Sequence, residues 1–301
     1  VNTVDNFGVT GGAPSHPELL DFLANRFVAD GWSTKKLVRQ LVLTRAYQLS
    51  ADAPEANRTA DPDNRLVWRH APRRLSAEEM RDAVLAAAGT LDPKRPQKSP
   101  AAELRMVEMR DNGPEAKAIN EKADAATVRS VYLPLLRGVT PKALEAFDPV
   151  DQTLVSGTRD STTVPAQALF LLNSAFVRKQ ALQFAERLLA DAEATDAARV
   201  RSAYRLSFGR EPTAAEVDRA RAFVGAYESE YRANPPKAAK PAPKKGPEPK
   251  KGPDEVIDPD QIDQTGEVVA EDVVHAKDPK TAAWMAFAQA LIAGAEFRYV
   301  K

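Results

Sequence analysis

The densest set of chemically capable side chains lies between Asp61 and Asp82, in the stretch DPDNRLVWRHAPRRLSAEEMRD. Arg65, Arg69, Arg73 and Arg74 precede a segment carrying Glu78, Glu79, Arg81 and Asp82, with Trp68 among them. A guanidinium presents a planar fork of donors, suited to bidentate pairing with a carboxylate or phosphate and to stacking on an aromatic ring. One chemistry this allows is anion recognition, with Glu78 or Asp82 available for proton transfer. The other is a network of ion pairs pinning a loop to a helical core. The even mix of signs favours the network, because such charges satisfy one another. Leu66, Trp68 and Leu75 are expected to anchor the stretch in the core and to draw its arginines toward Arg159.

A second polar set, RDSTTVPAQALFLLN, runs from Arg159 to Asn173. Thr162 or Thr163 is placed to cap a helix with Pro165 in its first turn. Gln167 and Asn173 fall on that otherwise apolar helix, where each needs hydrogen-bond partners if buried. The candidate polar cluster is therefore Arg65, Trp68, Arg69, Arg74, Glu78, Arg81, Asp82, Arg159, Thr163, Gln167 and Asn173. An enzyme would gather its members around an open pocket; a structural module would close them into pairs.

Other chemistries find little support. The histidines are His16, His70 and His275, none with a second ligand at helical spacing, so no metal site is expected. Gly11-Gly12 lacks a Walker lysine and reads as a turn. No G-x-S-x-G or H-E-x-x-H occurs. With Cys 0, there is no disulfide, no thiolate ligand and no C-x-x-C-H haem attachment, so a cofactor is expected only on a separate domain. Lys plus Arg and Asp plus Glu are both 42, and this neutral balance argues against nucleic acid as a partner. No apolar run approaches the ~20 residues of a membrane span.

The elements that must position these groups are helices. Ser15, Ser76 and Thr213 each begin an S/T-x-x-E capping box, and Thr140-Pro141 and Asp278-Pro279 are cap-then-proline starts. Apolar periodicity predicts helices from about Pro17 to Ala29, from Ser33 with Leu37, Val38, Leu41, Val42 and Ala46 on one face, from Ser76 to Ala88, from Pro165 to Leu189 without a break, from Asp196 to Phe208, from Thr213 to Tyr231 and from Pro279 to Phe297. The first two form a helical hairpin. Val128–Leu136 is β-branched enough for a short strand, with Leu104–Met109 as its partner. The fold class is thus mainly α: a multi-helix domain with helical hairpins and room for one short β-hairpin. Residues 1–233 are read as the helical domain, 234–260 as a disordered insert rich in Lys, Pro and Ala, and 261–301 as a C-terminal helix packing back on the domain. The chain starts at Val1, without an initiator Met and in mid-pattern, and is read as a piece of a longer protein.

Several segments together resemble a planctomycete surface-protein domain of unknown function. They are Asp5–Gly8, Ser15–Asp21, Asp61–Arg69, Arg74–Glu78 with Arg81-Asp82, and Arg129–Tyr132. They continue with Thr163–Leu169, Leu172-Asn173, Ala203–Arg205, Gly209–Thr213 and Glu296–Val300. The Lys/Pro insert is the main departure. The resemblance implies a C-terminal domain that follows a companion domain and often a c-type cytochrome domain. It also implies an extracytoplasmic setting and a link to electron transfer or polysaccharide degradation, but no catalytic residues. The reading favoured here is a non-catalytic helical module that packs on or recruits neighbouring domains. The alternative is an enzyme domain, polysaccharide-degrading or cytochrome-linked, with an Arg/Glu/Asp pocket.

Overall fold

The computed structural model describes residues 3–6, 8–52, 54–97, 121–135, 140–150, 157–235 and 274–300. Helices α1 (Pro17–Ala29) and α2 (Thr34–Val42) form the expected hairpin, turned through Gly31 and Trp32 at positive φ of 74° and 59°. Ser33 caps α2 by accepting from the Lys36 amide. The capping box expected at Ser15 does not form. Pro17 sets the first helical residue, His16 becomes the cap, and Ser15 stands one position too early; its Oγ meets His16 Nδ1 at 3.0 Å instead. A short α3 (Glu55–Ala60) follows Pro54.

At α4 (Ala77–Ala88) the capping box is complete: Ser76 Oγ accepts from the Glu79 amide and the Glu79 carboxylate accepts from the Ser76 amide. Gly89, at φ 81°, ends the helix in the left-handed conformation that only glycine adopts at little cost. The short α5 (Lys142–Glu145) takes Pro141 itself as its cap residue, so Thr140 does not cap it.

The unbroken helix expected from Pro165 is two helices, α6 (Pro165–Asn173) and α7 (Ala175–Leu189). Ser174 between them is extended, and its Oγ accepts from the Val177 amide at 3.1 Å, so a new helix starts there. Next come α8 (Asp196–Phe208), capped by Thr195, and α9 (Ala214–Ala233), with a full Thr213–Glu216 box. The last is α10 (Pro279–Ala293), capped by Asp278.

The chain is mainly α. The sheet among the described residues pairs β1 (Arg73–Arg74) with β2 (Tyr299–Val300), antiparallel, with Arg73 opposite Val300. The described part of the expected Val128–Leu136 strand, residues 128–135, is not a strand: Val128 makes an isolated bridge with Asp92, and Ser130–Tyr132 is a 3-10 helix. Leu104–Met109 lies outside the described residues, as does nearly all of the 234–260 insert.

The core is organised around α10. Apolar on every side, it packs chiefly on α7 and α9, and α4 also packs on α7. A helix without a polar face belongs at the centre of its bundle. Trp284, Phe287, Ile292, Phe184, Val84, Leu144 and Val200 lie in one continuous buried cluster. The N-terminal helices are different. No residue of α1, α2 or α3 is buried, and Leu19, Leu20, Phe22, Val28, Trp32, Val38 and Leu41 are exposed.

Candidate functional site

The residues of the expected polar cluster fall into three groups. The first is a self-contained loop. Asp61 accepts from the amides of Arg65 and Leu66 at 3.0 and 2.8 Å, and these bonds, the Leu66 amide's first, hold its carboxyl below the usual range. Trp68 Nε1 donates to the Asp61 carbonyl, and the Arg69 guanidinium lies 5.2 Å above the Trp68 ring while donating to the Pro62 carbonyl. Asn64 Oδ1 accepts from the amides of Trp68 and Arg69. Local polar bonds rather than packing shape this turn. Leu66 is therefore 73% exposed and Trp68 only half-buried, and neither reaches the core. Leu75 alone of the expected anchors packs against it.

The second group joins the two polar stretches. The Arg74 guanidinium donates to the Thr162 carbonyl and to Gln167 Oε1. Gln167, fully buried, returns its Nε2 to the Thr162 carbonyl at 3.2 Å. Arg159 and Glu78 pair at 2.6 Å. Asp148, at a positive φ of 53°, accepts from the amide and hydroxyl of Thr162 at 2.8 Å each. Thr162 is thus occupied sideways, and Val164 is the cap residue of α6, with no side-chain cap. Thr163 and Asn173 are exposed and do not join the group.

The third group is the most buried. Arg81, 1% exposed, donates to the Val128 carbonyl at 3.1 Å, to Ser130 Oγ at 3.2 Å, to the Ala123 carbonyl at 3.4 Å and to the Ala126 carbonyl. Burial pulls its pKa down, opposed by the charges of Asp82 and Asp124. Asp82 accepts from the Ser130 amide and hydroxyl at 2.7 Å each, and Arg129 approaches it at 3.5 Å. Burial pushes the Asp124 carboxyl up.

These groups are closed by mutual contact. Glu78 meets Arg159 and Gln167 meets Arg74, whereas Arg65 and Arg69 stay with their own loop and Asp82 with Ser130. Among the described residues these contacts split Arg65, Arg69, Glu78, Asp82, Arg159 and Gln167 between separate groups rather than gathering them in one place. A groove of about 610 Å³ does touch Arg69, but its walls are mainly Val38, Leu41, Val42, Tyr47 and Val67. Among the described residues, no group of three or more His, Asp or Glu side chains is placed to hold a metal ion.

Sequence reasoning gave no polar role to Ser130, although it lies in the Arg129–Tyr132 segment of the resemblance, and passed over Asp148 and Asp124. It also passed over a second network, in which Arg210 bridges Glu216 and Glu296 at 2.8 Å each and lies 5.3 Å above the Tyr204 ring. Arg210 stands just before the Thr213 capping box, and that position was a usable signal.

Two capping carboxylates are strongly acidified. Hydrogen bonds, from Arg73 first in one case and Arg210 first in the other, bring Glu79 and Glu216 from an ordinary 4.5 to about 2. A depressed folded-state pKa gives stability that is complete above the unfolded value and is lost as pH falls toward the folded one. The melting temperature is therefore expected to fall between about pH 4.5 and about pH 2. The double variant Glu79→Gln/Glu216→Gln should show a shallower fall; an unchanged slope would show that these two pairs do not carry the effect.

Residues 1–224 match the model of the PSD1 family, described as a protein of unknown function (DUF1553). No curated protein and no solved structure matches the chain.

Proposed function

The chain belongs to this PSD1 family of unknown function, and we propose that it is a non-catalytic helical module of a larger exported, planctomycete-type protein, one that packs on or recruits the neighbouring domains. The observation that carries this reading is the unburied N-terminal hairpin. An amphipathic helix ordinarily turns its apolar stripe to a core, yet no residue of α1 or α2 is buried. Leu19, Leu20, Val28, Val38 and Leu41 are each at least 39% exposed, beside the apolar groove under Tyr47 and Val67. A contiguous exposed apolar surface of this kind marks an interaction face. The closed state of the Arg74, Arg81 and Arg159 contacts supports the same reading, since side chains engaged with one another are not poised for a substrate.

In this reading the neighbours lie outside the cytoplasm and include a c-type cytochrome domain. Any haem belongs to that domain, because this chain has no cysteine for thioether links. The test compares the isolated chain with the longer protein containing its upstream neighbour. Amides of α1 and α2 should exchange more slowly in the longer protein. The double variant Leu20→Glu/Val38→Glu should abolish that protection while leaving the melting temperature of the isolated chain within about a degree, well inside the ~2–4 °C expected per kcal/mol. Equal exchange in both contexts, or unfolding of the isolated variant, would count against a docking face.

A further inference from the structure

A cavity of about 270 Å³ lies where α7, α9 and α10 meet, away from the polar cluster. Its walls include Arg178 of α7, Tyr227 and Tyr231 of α9, Gln289 of α10, and His275 just before α10. Its volume falls slightly below the roughly 300–1,000 Å³ of pockets for drug-sized ligands, a size for one small ring.

Three features of the wall specify chemistry. The first is charge. Arg178 is half-buried, and its guanidinium has no hydrogen-bond or ion-pair partner among the described residues. The buried arginines behave otherwise: Arg81 and Arg199 turn their terminal nitrogens to carbonyls, a hydroxyl or a carboxylate. Among the described residues no Asp or Glu lines the cavity, while His275 adds a second nitrogen base. A guanidinium fork at the wall of a cavity, half-buried and with no acceptor among the described residues, favours an incoming anion.

The second feature is an aromatic ladder. Phe223, Tyr227 and Tyr231 recur at every fourth residue of α9, with ring centroids 5.9 and 6.4 Å apart, and the Tyr227 and Tyr231 planes differ by only 24°. Phe223 and Tyr227 remain 42% and 39% exposed, so the ladder continues from the cavity across the surface. The electron-rich face of such a ring receives the C–H face of a sugar while its edges leave the hydroxyls free. The third is a directed acceptor. Gln289 Nε2 donates to the Leu171 and Leu172 carbonyls at 3.1 and 2.7 Å, which fixes the amide and leaves Oε1 to accept from a hydroxyl.

We propose that this cavity binds an acidic saccharide unit, its carboxylate or sulfate on Arg178, its ring face against Tyr227 or Tyr231, and a hydroxyl donating to Gln289. The next unit of the chain runs toward Phe223. A purely apolar ligand would leave Arg178 unpaired, and a bare anion would leave the tyrosine faces unused. The site is separate from the α1–α2 face, and the two readings stand or fall independently.

The test is titration calorimetry of the 301-residue chain with three probes: a glucuronate trisaccharide, a sulfated galactan oligomer and neutral cellotriose. At least one acidic probe is expected to bind ten-fold or more tightly than cellotriose, and which one does so distinguishes carboxylate from sulfate. Arg178→Gln should remove that preference, and Tyr227→Ala should weaken binding of the acidic and neutral probes alike. Neither change should shift the melting temperature, since the Arg178 guanidinium makes no hydrogen bond or ion pair among the described residues and Tyr227 is exposed. Binding of none of the probes, equal binding of all three, or acidic binding that survives both substitutions would overturn the proposal. So would competition by an acidic peptide at equal strength, which would assign the cavity to a protein ligand.

Discussion

Replacing Arg81 with Ala is expected to cost about 3–5 kcal/mol, the range seen when one member of a buried charged network is removed. The side chain is fully enclosed, and its fork holds three carbonyls and a hydroxyl from residues 123–130 against α4. Two losses combine. The truncation opens a void beside Phe176, whose ring lies 5.8 Å from the guanidinium. It also strips donors from the carbonyls of Ala123, Ala126 and Val128, and buried acceptors left unmade cost about 1–3 kcal/mol apiece. Arg81→Met keeps most of the volume and should recover only the packing part. Asp82→Asn should cost far less, because an amide oxygen can still accept from both the Ser130 amide and its hydroxyl. Urea unfolding of the three variants gives the ranking; a loss below about 1 kcal/mol for Arg81→Ala would show that the 123–130 segment does not depend on this fork.

What the sequence revealed, and what it hid, follows from the range of the interactions. Signals closed within one turn of helix were readable: the boxes at Ser76 and Thr213 and the cap at Asp278 all form, because both partners lie within three residues. The break at Ser174 was equally local and was outweighed by the apolar residues on both sides, Leu169–Leu172 and Ala175–Val177, which periodicity alone joins across Asn173 and Ser174. The Ser15 box failed by one position for a reason also present in the sequence, the proline that follows. Arginine burial was not readable. Arg65, Arg69, Arg74 and Arg81 are chemically equivalent in the sequence, yet one is exposed in a loop and another lies in the core. Contacts with Ser130 and Thr162, remote in sequence, decide which is which. The α1–α2 hairpin shows the converse case. Its amphipathic pattern was plain, and a pattern states only that a face wants cover, not that this chain supplies it. The ladder of Phe223, Tyr227 and Tyr231 was present at fourth-residue spacing, but such a stripe ordinarily means core.

Trp284→Ala is expected to have the largest effect of any core truncation, about 3–5 kcal/mol. Trp284 is the largest of the fully buried side chains, at 0% exposure, and it sits on the helix around which α7 and α9 pack. Its ring meets Phe287 edge to face at 5.7 Å, so truncation removes both area and a specific aromatic contact. At about 2–4 °C per kcal/mol, the melting temperature should fall by roughly ten degrees. Trp284→Phe should behave quite differently. The indole Nε1 is buried with no acceptor among the described residues, a state that itself costs about 1–3 kcal/mol. Phenylalanine gives up part of the ring but also discards that orphan N–H, and the two terms oppose. Its net cost is expected to stay under about 1.5 kcal/mol despite the larger volume change than in most conservative swaps. Thermal and urea melts of the pair separate these contributions. If Trp284→Phe proves nearly as damaging as Trp284→Ala, the indole N–H has a partner after all, and the tight packing of α10 on α7 and α9 rests on a polar contact rather than on apolar burial.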